Sequence, residues 1–133
     1  GARIDKAREG GKAEMNRELF SHKVNECNGS LTIRPIDEVG SGNAHHQYLI
    51  TGFKDGVCGI NFQNGPIKEA GVNGVTNEAL LAIVLDRLEC FQTGDFKCRE
   101  NALAITKIEE AMHWLAHRTR MREQRGVEGT HKV

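Results

Sequence analysis

Four side chains in the second half of the sequence carry chemistry suited to a phosphorylated nucleotide. Phe91 offers a π-face on which a base can stack, and Asn101 can pair with adenine through two hydrogen bonds. Arg118 and Arg122, spaced i and i+4, can grip a phosphate pair bidentately. A second reading stays open for the arginines. Arg118, Arg120, Arg122 and Arg125 gather at what reads as a helix C-terminus, where cations stabilise the macrodipole by about 0.3–1 kcal/mol. Four exceed what that effect needs, so anion binding and a solvated face weigh equally.

Other constellations point to less. His113 and His117 share a helix face with Glu109 and Glu110 upstream, a geometry that can hold zinc, but the HExxH arrangement is missing and a solvated face explains them. His45 and His46 are adjacent on an expected strand, so they point to opposite faces and cannot chelate together. Cys90 and Cys98 lie eight residues apart with no CxxC pair, and are expected as reduced, buried thiols at the end of a helix seam. No metal site or cofactor is expected. The glycine-rich run from Gly65 to Gly74 precedes a helix and could cradle an anion, yet it fits neither the GxxxxGK[ST] nor the GxGxxG pattern and reads as a turn. No nucleophile elbow or spaced carboxylate pair argues for catalysis.

These residues depend on the elements that carry them. Residues 1–20 form a charged segment, read as a tail or one weak helix. In 21–64, short extended runs alternate with turn residues. "SHKVNE" and "SLTIRPI" flank Asn28-Gly29, "HHQYLITGF" follows a Gly-Ser-Gly-Asn break, and Asp55-Gly56 turns into "VCGINFQ". Four strands in a small antiparallel sheet are expected there. Residues 65–125 comprise a linker and a helical hairpin, and 126–133 a tail after Gly126, a good helix stop. Thr76 is the expected N-cap of the first helix, with Ala79, Leu80, Ile83, Val84, Leu88 and Phe91 as its apolar stripe. Ala102, Ile105, Ile108, Met112 and Leu115 form the second stripe, bordered by Trp114. The fold class is therefore α+β: an N-terminal antiparallel sheet, then an antiparallel helical hairpin.

Spacing constrains the site. Asn101 and Arg118 are seventeen residues apart on one helix, about 25 Å along its axis. One chain cannot close Phe91, Asn101 and the arginines around a small ligand. Two hairpins paired antiparallel bring the turn of one to the arginines of the other, an inter-subunit pocket.

Composition points the same way. The chain has 133 residues, 18 Lys+Arg against 18 Asp+Glu, and 5% aromatics. Zero net charge gives no support to a polymeric nucleic-acid or membrane-surface binder. A core so poor in aromatics often leans on oligomerisation.

The stretch "GPIKEAGVNGVTNEALLAIVLDRLECFQTGDFKCRENALAITKIEEAMHWLAHRTRMREQRGVEG", and most specifically Cys98 to Leu115, resembles the phage Thoeris anti-defence protein 1 family. These are sponges that sequester the cyclic ADP-ribose isomers made by TIR-domain immune enzymes. The second helix also resembles the hairpin domain of the phage anti-CBASS cyclic-oligonucleotide sponge. The resemblance implies a non-enzymatic trap for glycocyclic ADP-ribose in the host bacterial cytoplasm, assembled from dimers into a homohexamer. It implies that Phe91 and Asn101 hold the base and that Arg118 and Arg122 contact the phosphates. Arg99 and Thr106 are implied as a separate cyclic-trinucleotide pocket. The alternatives are a sponge for cyclic di- or trinucleotides alone, and a protein-interaction hairpin without a small ligand.

Overall fold

A computed structural model describes residues 14–133, so the expectation for residues 1–13 lies outside the described residues. The described chain divides into two units: residues up to 65 with Val72–Gly74, and Pro66–Gly71 with Val75–Val133.

The first unit contains helix α1 (Glu26–Gly29) and strands β1 (Thr32–Pro35), β2 (Gln47–Phe53) and β3 (Gly56–Asn61). The strands form one antiparallel sheet in the order β1-β2-β3. Asp55, at φ 61°, supplies the left-handed residue of the β2–β3 turn, which falls where expected but on Lys54-Asp55, with Gly56 already opening β3. A bulge between Ile50 and Phe53 contains Gly52 at φ 96°. A Cβ there would collide with the Ser30 carbonyl oxygen, so glycine lets the chain entering β1 lie against β2.

Three strands form among the described residues instead of four. "SHKVNE" folds into turns and leads into α1, because Asn25 Oδ1 accepts the Asn28 N–H at 2.9 Å and caps a helical turn. Neither Asn28 nor Gly29 takes the left-handed conformation a tight hairpin requires. The outer edge of β1 is bonded instead by an irregular segment: Asn16 N donates to Pro35 O at 2.7 Å and Leu19 N to Ile33 O at 3.0 Å.

Polar groups pin the far end of β1 to β2. The Asp37 carboxylate accepts the backbone N–H of His46 at 2.9 Å and of Gln47 at 3.2 Å. Burial raises the Asp37 pKa, but these N–H groups and the His45 ring outweigh it and hold the carboxyl below its ordinary value. The expected His45-His46 strand pair sits just ahead of β2, and both side chains are buried. His45 Nδ1 bonds Asp37 O at 2.7 Å and His46 Nε2 bonds Ser41 O at 3.0 Å, so they are structural.

The second unit holds the short helix α2 (Ile67–Ala70), then α3 (Asn77–Gln92) and α4 (Arg99–Gln124), which pack as a hairpin. Thr76 caps α3 as expected, its hydroxyl accepting the Ala79 N–H at 3.1 Å. The half-buried residues Leu81, Leu85 and Leu88 of α3 and Ile105, Ile108, Met112 and Leu115 of α4 recur at intervals of three and four. The expected α3 stripe is partly corrected: Ile83 is 65% exposed and Val84 also lies outside. Both faces of α3 are apolar, so periodicity alone cannot say which one meets α4.

Candidate ligand-binding site

The α3–α4 connection is closed by a side chain that residue type alone did not mark. Gln92 Nε2 donates to Cys98 O and Gln92 Oε1 accepts the Cys98 N–H, both at 3.0 Å. This two-way clasp joins the last residue of α3 to the residue just ahead of α4. Thr93 Oγ1 adds a bond to Cys90 O at 2.7 Å. Cys90 and Cys98 are exposed and free, against the expectation of burial at the seam. Cys98 is instead the N-cap of α4, its Sγ accepting the Asn101 N–H at 3.4 Å. A weak sulfur acceptor is no preferred cap, which is why sequence reasoning missed it.

The clasp sets Phe91 and Asn101 at the same end of the hairpin. Both are half-buried. The Phe91 ring meets Phe96 edge-on at 6.3 Å, and Arg87 Cζ lies 5.3 Å from the Phe91 centroid, against one ring face. Phe96 is itself 77% exposed. Arg99 and Thr106, both exposed, lie two turns apart near the start of α4, and the Thr106 hydroxyl donates to Ala102 O at 3.2 Å.

The other named residues sit far from this turn. α4 runs unbroken for 26 residues, about 39 Å, and outruns the 16-residue α3 by about 15 Å. Arg118 is exposed in its last third. His113 and His117 flank the exposed Trp114 edge-on at 5.8 and 5.7 Å. No group of three His, Cys, Asp or Glu able to hold a metal occurs among the described residues.

Arg122 differs from Arg118. Its side chain is 12% exposed, and Nη2 donates to Val127 O at 3.0 Å and Thr130 O at 3.2 Å. Nε lies 3.3 Å from Glu128 Oε2. The expected tail of 126–133 therefore folds back. Gly126, at φ 73°, ends α4 as anticipated: its N–H bonds Glu123 O at 3.0 Å and the Val127 N–H bonds Arg122 O at 3.0 Å. Val127 is then buried, Lys68 N donates to Gly129 O at 3.3 Å, and His131 Nδ1 pairs with Glu69 at 2.8 Å. One buried valine after a helix stop was the available signal.

A sheet unit followed by a clasped two-helix hairpin defines the class, and residues 54–120 match the family model described as Acb2/Tad1, hairpin domain. The chain is also 53% identical over 121 residues to Thoeris anti-defense 1 of Bacillus phage SBSphiJ7, covering 91% of this chain and 85% of the relative. The chain belongs to the Thoeris anti-defense 1 (Tad1) family. No helix among the described residues is long and apolar enough to cross a membrane.

Proposed function

We propose that the chain counters Thoeris immunity by binding and sequestering a cyclic ADP-ribose isomer without turning it over. The observation that carries this reading is the clasped turn, which sets Phe91 and Asn101 together at one end of a hairpin whose relative is a Thoeris anti-defense protein. Phe91 stacks the base, Asn101 pairs with it, and Arg118 and Arg122 take the phosphates. Because about 25 Å separates Asn101 from Arg118 along α4, the two halves of the site come from different chains. The outward residues Ile83, Leu103 and Trp114 supply apolar surface for that assembly, of dimers and then a hexamer. Arg99 and Thr106 are kept as a second site for a cyclic trinucleotide.

The test is a calorimetric titration with the signal released by a TIR-domain enzyme, followed by heat denaturation. A stoichiometric complex that returns the ligand chemically intact supports the sponge. Recovery of ADP-ribose would make the protein an enzyme, and absence of heat would leave the hairpin a protein-interaction module. Sedimentation of an Ile83→Lys, Trp114→Lys double variant reads the assembly: a drop in mass is expected, and an unchanged mass removes the two-chain site.

A further inference from the structure

Arg122, assigned above to phosphate, is already occupied by an anion of its own chain. Glu128 stands six residues further on, and its Oε2 lies 3.3 Å from Arg122 Nε. That oxygen is buried, yet among the described residues it has no hydrogen-bond partner. The pair is thus a charge contact without hydrogen-bonding geometry. A buried carboxylate oxygen with a charge contact but no hydrogen bond has its desolvation cost only partly compensated. The backbone bonds from Nη2 to Val127 O and Thr130 O are better formed, and they tether Glu128 in place.

We propose that Glu128 is a place-holding anion: it occupies Arg122 in the free protein and sets an affinity threshold that any anion reaching the guanidinium must overcome. The proposal rests on the reading of Arg122 as a phosphate contact. Its logic is competition. A tethered carboxylate acts at an effective concentration on the order of millimolar, so a free anion must displace it before reaching the guanidinium. A diphosphate regains two aligned charge-assisted bonds, whereas the carboxylate it displaces gives up a misaligned one. The device sets a threshold for anions at Arg122 without touching the base.

The probes are inorganic pyrophosphate and cyclic ADP-ribose, titrated at fixed ionic strength into the full chain and its Glu128→Gln variant. Glu123→Gln serves as the control for lost negative charge on the same stretch. The Glu128→Gln variant is expected to bind pyrophosphate about tenfold more tightly and the control less than about twofold. Adding Arg122→Lys should abolish the gain. Equal or weaker pyrophosphate binding by Glu128→Gln overturns the proposal. A measurement on the unaltered chain guards against a variant that merely loosens the C-terminal segment. Saturating pyrophosphate should move the Arg122 Nε–H resonance, and an unmoved resonance also overturns the place-holder. If cyclic ADP-ribose binds the unaltered chain without a gain in Glu128→Gln, the place-holder fails and the sponge stands. If the pyrophosphate gain appears while neither protein binds the TIR-enzyme signal, the sponge fails and the place-holder stands.

Discussion

The two units of this chain differ in where their long elements leave polar and apolar groups. In the sheet unit, polar groups turn inward and are met by the unit's own chain: Asp37 holds two backbone N–H groups, and His45 and His46 each bond a carbonyl, beside the fully buried Pro35. In the hairpin, neither long helix has a fully buried residue, and Ile83, Leu103 and Trp114 face outward. The satisfaction is partial, since His45 Nε2, His22 Nδ1 and Arg17 Nε are buried without a hydrogen-bond partner among the described residues, and Val24, Phe53 and Val57 are exposed. A hairpin with apolar residues on both faces has surface left to bury, so a ligand site and an assembly surface are both read on it rather than on the sheet.

That contrast can be broken at the sheet first. Gly52→Ala places a side chain against the Ser30 carbonyl at a positive φ, and should cost about 3 kcal/mol, lowering Tm while the residues of the proposed site stay untouched. An unchanged Tm would mean that the sheet does not depend on this close approach. On the hairpin the expected pattern is reversed. Phe91→Ala should lose about 1–3 kcal/mol of ligand affinity, a tenfold or greater change by calorimetry, with little change in Tm. A large thermal penalty there would make Phe91 a packing residue and erase the distinction.

The smallest effect is expected from pH. The Asp37 carboxyl is held below its ordinary value, so its contribution is fully present above about pH 4 and is lost as pH falls through the lowered value. Acid denaturation should therefore weaken the sheet unit, and Asp37→Asn, at a cost of about 1–2 kcal/mol at neutral pH, should flatten that part of the acid response. An equal acid slope in both proteins would rule out Asp37 as its source.

The helices were legible because their patterns are long and their ends marked: Thr76 is a good cap acceptor and Gly126 takes the left-handed angle that stops α4. Residues 21–29 misled because Asn25 captures a backbone N–H three residues on, a local bond that defeats the hairpin tendency of Asn-Gly. The α3 seam was half legible, since Ile83 and Leu85 are equally apolar and only packing distinguishes them. At the site, the chemistry of Phe91, Asn101 and Arg118 could be named from residue type. The Gln92 clasp and the occupation of Arg122 depend on contacts across a turn, which no spacing rule encodes.

The unbroken course of α4 also governs how sequences of this kind can vary. Each residue inserted between Asn101 and Arg118 would swing the arginine about 100° around the axis and advance it 1.5 Å. A seven-residue insertion nearly restores its bearing but displaces it by about 10.5 Å. The interval therefore behaves as a phase-locked ruler, in which a change of length cannot leave both ends in their relative bearing and reach.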